Sequence, residues 1–206
     1  MAMITVNSKE INHNINTQTT INEIIDMVLD TAENDNNVVT DLTVDGKQVD
    51  VYDNDEKLKT TVGDFQEINL TVKSSLELAF EALDSCTHYI DVVMKKIDTL
   101  TSLYSENEIM QANALFAEVI EIMDLFIQLM TKIHRSIRTH TKDNFNKAPV
   151  IQDLEIHLLS ILKALIPAKE RNDLIMLCDL LEYELMDNLK RWKINAIPEL
   201  KKYKTQ

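Results

Sequence analysis

Glycine is nearly missing from this chain, with two in 206 residues, Gly46 and Gly63, and proline occurs three times. Glycine-lined phosphate loops, the dinucleotide fingerprint and the nucleophile elbow all need several glycines at fixed spacing, so these catalytic frameworks are excluded. Two cysteines, Cys86 and Cys178, are too few for a disulfide scaffold or a paired-cysteine zinc site. Both sit among apolar neighbours in helical patterns, which predicts reduced core thiols. No segment approaches the run of roughly 20 apolar residues that a membrane span needs, and "MAMITVNSKEINHN" lacks a basic region followed by an apolar stretch. A soluble, cytoplasmic protein is expected. Positive charge is also scarce: Lys+Arg 21 against Asp+Glu 34 gives a net of -13, which opposes a general nucleic-acid surface.

What is present divides into two parts, expected as domains at 1–73 and 74–206. Residues 1–73 hold 14 acidic and 5 basic side chains, a net of -9, and the remainder holds 20 and 16, a net of -4. In the first part, Ile4, Val6, Ile11 and Ile15 straddle a break at Asn7, Ser8 and Lys9, as in a hairpin. Thr20 and Glu23 have capping-box spacing before a helical face of Ile21, Ile24, Ile25, Val28 and Leu29, which Asn34 to Asn37 end. Asp45-Gly46 suits a tight hairpin turn, because both central positions need positive φ. A last strand, "EINLTV", follows a polar connection containing Gly63.

Strand, strand, helix, strand, strand, loop, strand within some seventy residues resembles the β-grasp superfamily. The residues that carry the resemblance are "ITVNSKEI", "TTINEIIDMVLDTA" and "VDGKQV". It implies a mixed sheet cradling one helix. The carrier chemistry of that superfamily needs a free terminal Gly-Gly, and here the strand exits through Lys73, Ser74 and Ser75 into a helix, so only a docking role carries over.

Asp41, Asp45, Asp50, Asp53 and Asp55 invite a metal reading. Counted from Asp50 as a calcium loop, alternate positions fall on Tyr52 and Asn54, and Asp55 stands where glycine is required. A solvated loop and protected sheet edge is the expectation, with Asp53, Asp55 and Glu56 as the weak-cation alternative.

Beyond Ser74, itself three residues before Glu77, apolar residues recur at steps of three and four: Leu76, Phe80, Leu83, Thr87, Ile90, Met94 and Ile97. Ser105 and Glu108 repeat the cap spacing before "IMQANALFAEVIEIMDLFIQLMTKIHRSIR", a helix beyond thirty residues. Pro149 suits a first helical position, and Leu154, Leu158, Ile161, Leu162 and Leu165 follow it. Pro167 predicts a stop or restart. A fourth helix is expected from Arg171 to Trp192, with Leu174, Leu177, Cys178, Leu181, Leu185 and Leu189 on its stripe, and Pro198 opposes continuation. The expected fold class is α+β: a small β-grasp-like N-terminal domain followed by an antiparallel four-helix bundle.

Site chemistry is sparse. A di-iron bundle needs Glu-x-x-His on two helices, and the one such spacing, Glu10 to His13, lies in a hairpin. Asp84, His88 and Asp91 share a helix face, but metal sites need three or four converging ligands. Histidine phosphotransfer domains place Lys and then Gly after their histidine; His134 is followed by Arg138, His157 by Lys163, and no glycine occurs beyond Gly63.

No metal, cofactor or catalytic residue is therefore assigned. His134, Arg135, Arg138, His140, Lys142 and Lys147 form a basic strip near a helix C-terminus, where cations are favoured. An acidic ligand, the N-terminal part included, would also suit it.

Met110, Met123 and Met130 on the same helix suit core packing or an adaptable groove. In size, acidity and helix content this part is similar to the helical flagellar export chaperones, which implies a groove for an amphipathic helix. The expected function is a noncatalytic protein-binding, adaptor or chaperone-like module that engages a protein partner or a second copy through Phe116, Phe126, Met130 and Trp192. A phosphotransfer, small-ligand or metal-dependent enzyme is the alternative.

Overall fold

The computed structural model describes residues 2–11, 15–31, 36–52, 56–141 and 148–205. His13, Asn34, Asp53, Asp55, Lys142 and Lys147 lie outside the described residues. The chain is α+β, and it separates into two compact units, Met1–Leu78 and Ala79–Gln206.

In the first unit, β1 (Met3–Val6) turns through Asn7 and Ser8, both at positive φ, into the short β2 (Lys9–Glu10). Helix α1 (Ile21–Thr31) opens on a complete capping box. The Thr20 backbone N–H donates to Glu23 at 2.7 Å, and the Glu23 N–H donates to Thr20 Oγ1 at 3.3 Å. Strand β3 (Asn37–Val44) turns at Asp45-Gly46 (φ 49° and 73°) into β4 (Lys47–Gln48), and β5 (Glu67–Ser74) completes the sheet.

The sheet order is β2-β1-β5-β3-β4, with β1 and β5 parallel and the other pairs antiparallel. Ile21 and Ile24 of α1 join Ile4, Leu42, Ile68 and Leu70 of the sheet in one apolar core.

The polar connection folds as two short 3₁₀ turns, Glu56–Lys59 and Val62–Asp64, that bury Leu58 and Val62. Its glycine has a steric cause: a Cβ at Gly63 would stand 2.8 Å from the Thr17 carbonyl oxygen, which accepts the Gly63 N–H.

The described aspartates build turns. Asp45 Oδ1 accepts the backbone N–H groups of Gln66 and Glu67 at 2.9 Å each, which ties the hairpin to the start of β5. Asp50 accepts the Tyr52 N–H at 2.8 Å, and Asp41 accepts from Gln48.

In the second part of the chain, α2 (Ser75–Ser105) is capped by Ser74, whose Oγ accepts the Glu77 N–H at 3.0 Å. Helix α3 (Ile109–His140) follows after three residues. The expected cap at Ser105 is not made: Ser105 ends α2 and bonds back to Thr101. The junction is instead a Schellman motif. Asn107 takes the left-handed conformation (φ 62°), its N–H bonds the Tyr104 carbonyl, and the Glu108 N–H bonds that of Leu103.

Helix α4 (Pro149–Glu170) has proline in its first turn and runs through Pro167 without stopping. Pro167 falls in the last turn, and its missing N–H leaves the Lys163 carbonyl without its helical donor. Asn172 (φ 53°) closes it with the same motif, and Asp173 caps the next helix by accepting the Met176 N–H. That helix therefore begins at Leu174, not Arg171.

The final run comprises α5 (Leu174–Asp179), a π-type segment (Leu180–Leu185), α6 (Met186–Arg191), a second π-type segment (Trp192–Ala196) and α7 (Ile197–Lys201). Pro198 does not end it. The preceding turn is already widened, with the Ile197 N–H reaching the Trp192 carbonyl, so the ladder has changed register before the proline arrives.

Side-chain contacts tie the helical pieces together. Lys96 meets Glu118 and Tyr104 meets Asn113 between α2 and α3. Asn188 donates to the Leu154 carbonyl between α6 and α4. Lys193 and Lys201 pair with Asp91 and Asp84 of α2.

Two outcomes test the turn chemistry. Gly63→Ala should destabilise the first unit by about 1–3 kcal/mol through the clash with Thr17, read as faster hydrogen exchange at the Ile68 and Leu70 amides. Asn172→Ala should cost about 1 kcal/mol in urea unfolding while Asn172→Gly is neutral or stabilising, because glycine enters the left-handed region without steric cost.

Candidate functional site

Helices α3 and α4 enclose a half-open cavity of about 550 Å³ together with Trp192 of the final run. Its apolar wall holds Phe126, Met130, Leu158, Leu159 and Trp192, and its rim holds His134, Arg135, Arg138 and Glu155. The face of α3 supplies this mixture because 126, 127, 130, 131, 134, 135 and 138 recur at three- and four-residue steps. Phe126 and Trp192 stack edge to face at 5.4 Å. Trp192 is 1% exposed, Met130 3% and Phe126 7%. These three side chains are thus the inner wall of a cavity and not an outer patch.

His134 Nδ1 lies 3.1 Å from Glu155 Oε1, which closes one side of the rim. Arg135 and Arg138 are exposed, and among the described residues neither has a carboxylate within ion-pair distance. The buried indole N–H of Trp192 has no acceptor among the described residues. His140 does not line the cavity; its Nδ1 contacts the Ser136 carbonyl oxygen at 2.9 Å.

Phe116 stands farther along α3, half-buried, beneath the ammonium of Lys169 at 5.4 Å. Lys169 also donates to Tyr104 Oη at 2.9 Å and to Asn113 Oδ1, and it lies over the Tyr104 ring at 5.2 Å. Phe116, Ile120, Leu162 and Ile166 border a shallower depression of about 380 Å³. Both depressions share Ile127 and Leu159, so they form one groove between α3 and α4. From Phe116 to Arg138 the groove follows α3 for about 33 Å at 1.5 Å per residue. Leu159 and Ile166 on its α4 side are 45% and 59% exposed.

Asp84 and Asp91, weighed above as a metal pair with His88, serve the final helical run. Lys201 bonds Asp84 at 2.8 Å and holds its carboxyl below the usual range, and Lys193 grips both oxygens of Asp91 at 2.6 and 2.7 Å. Among the described residues no three His, Cys, Asp or Glu side chains converge on a common point. His157 is engaged from both sides, with Nε2 3.0 Å from Glu184 Oε2 and Nδ1 accepting from Asn188.

Sequence reasoning did not find Glu155, Leu159, Ile166 or Lys169. Leu159 and Ile166 fall seven residues apart, one turn-pair on the face of α4 away from its core stripe, and that offset is the signal that could have flagged them.

A second apolar depression of about 490 Å³ opens between α2 and α3, with Cys86 in its lining. Burial pushes the Cys86 thiol from 9.0 up to about 11, with Lys201 pulling slightly the other way. The Cys178 thiol is raised as well, first by burial and then by Glu182 and Asp179.

A raised thiol pKa in the folded state contributes stability that is whole below pH 9 and is lost as pH rises toward 11, since only the unfolded thiol ionises in that window. The unfolding free energy of the wild type should therefore fall more steeply between pH 9 and 11 than that of Cys86→Ala. At pH 8, half-buried Cys178 should react with a thiol reagent before fully buried Cys86.

No curated protein and no solved structure matches the chain. Residues 3–74 match the TP0873 N-terminal domain, a span that ends with β5. Residues 81–195 match a second family across α2, α3, α4 and the final run as far as Asn195, so every described wall and rim residue of the cavity lies within the match. The chain belongs to the family described as Domain of unknown function (DUF8042).

Proposed function

We propose that this chain is a noncatalytic protein-binding module, adaptor or chaperone-like in action, that seats an amphipathic helix of a partner between α3 and α4. The observation that carries the reading is the pair of adjoining depressions from Phe116 to Arg138, with an apolar floor, charged residues at the edges and exposed Leu159 and Ile166 on the α4 side. An amphipathic helix laid in such a groove buries apolar side chains at steps of three and four, matching the spacing of the α3 residues beneath it. Burying the remaining exposed halves of Leu159 and Ile166 stabilises a complex by about 0.7–1.8 kcal/mol for each side chain before the costs of association.

The same proposal takes the first unit as β-grasp-like and the helical part as an antiparallel four-helix bundle. Support for the former is the sheet order with its parallel central pair and one helix in the core. For the latter it is the antiparallel contacts of α2 with α3, α4 with α6, and α2 with the final run. A bundle built this way leaves its binding surface on facing helices, not in a loop.

The test is capture of proteins from the native cell by the full chain, compared with Leu159→Asp/Ile166→Asp and with Tyr183→Asp as an exposed control outside the groove. Bound protein should be lost with the groove variant and retained with the control, and light scattering should report whether the occupant is a second copy. Equal capture by all three proteins overturns the assignment of the groove.

A further inference from the structure

We infer, building on the groove reading above, that the partner helix carries carboxylates at the end that lies over Arg135 and Arg138, next to a large apolar side chain that enters the cavity beside Trp192. The chain holds 34 acidic and 21 basic residues. What distinguishes Arg135 and Arg138 is their place in the fold. They lie three residues apart on one face of α3, exposed, at the rim of an apolar cavity, and without a described carboxylate. Glu155, the carboxylate of that rim, is turned to His134.

The helix C-terminus accounts for part of this, since a cation in the last turn is favoured there. It accounts for Arg138 but not for Arg135, which precedes the last turn of α3. Guanidinium groups bind carboxylates in a two-bond fork, and a half-open apolar wall beside them strengthens that preference by excluding water. An acidic residue flanked by a bulky apolar one therefore matches the site in charge, donors and space, whereas a basic partner end would meet two arginines of its own sign.

The probe is a pair of synthetic 22-residue amphipathic peptides with the same leucine stripe, one with two glutamates in its terminal turn and one with two lysines there. Binding to the full chain is read by peptide fluorescence anisotropy and by the emission of Trp192, the single tryptophan. The acidic peptide should bind about tenfold tighter at low salt, the scale of two partly exposed ion pairs, and 0.5 M salt should shrink the difference. Arg135→Glu/Arg138→Glu should reverse the preference, which separates charge pairing from any difference in peptide helicity. If that variant loses its helical circular dichroism, Arg135→Gln/Arg138→Gln should abolish the preference instead. Equal affinity of the two peptides for the wild type overturns this inference and leaves the groove reading standing. Failure of both peptides to bind overturns the groove reading itself.

Discussion

The arrangement of the second unit depends on how one helical run keeps a single face turned inward. Its buried residues Leu177, Leu181, Leu185 and Leu189, and then Trp192, Ala196 and Leu200, recur mostly every four positions. In a regular α-helix a four-residue step overshoots one turn by about 40°, so such a stripe would wind away from its neighbours. Two widened turns absorb the drift: the Met186 N–H reaches back to Leu181 and the Ile197 N–H to Trp192. With that correction Asn188 faces Leu154 and His157 of α4, Trp192 meets Phe126 of α3, and Lys193 and Lys201 meet acids of α2. The run thus meets α2, α3 and α4, and its Trp192 completes the cavity that α3 and α4 line.

Scarcity of glycine forces a second economy. Left-handed conformations at the tight turns fall to Asn7, Ser8, Asp45, Asn107 and Asn172, beside Gly46. Short polar side chains tolerate this region and supply bonds that glycine cannot. Asn7 exchanges hydrogen bonds with Val72 across to β5, and Asp45 accepts from Gln66 and Glu67, so each turn is also an anchor between strands. The one glycine that no side chain could replace is Gly63, where the obstacle is close backbone and not φ.

Charge follows a related logic. The acidic surplus serves local structure, capping α1 through Glu23 and α5 through Asp173, shaping turns, and engaging the lysines of the final run. Each such bond joins groups whose partner is fixed by the fold. Arg135 and Arg138 lie at the rim of the cavity, and among the described residues neither has a carboxylate within ion-pair distance.

Local signals in the sequence determined much of the architecture. Capping at Thr20 and Ser74, the Asp45-Gly46 turn, Pro149 in the first turn of α4 and the helical apolar spacing each depend on a few adjacent residues whose chemistry acts at short range. Phe126, Met130, His134, Arg135 and Arg138 on α3 and Trp192 on the final run could likewise be singled out from the sequence, since large apolar and basic side chains stand out by type. Tertiary structure decided the remainder. Pro167 lies inside α4 and Pro198 follows a widened turn, and Ser105 ends a helix because Asn107 reverses the chain beside it. That the six site residues share one cavity, with Glu155 and Leu159 opposite, depends on the rotation of helices far apart in sequence. Such rotation is set by the packing of whole faces and by two widened turns, and no short stretch of residues encodes it.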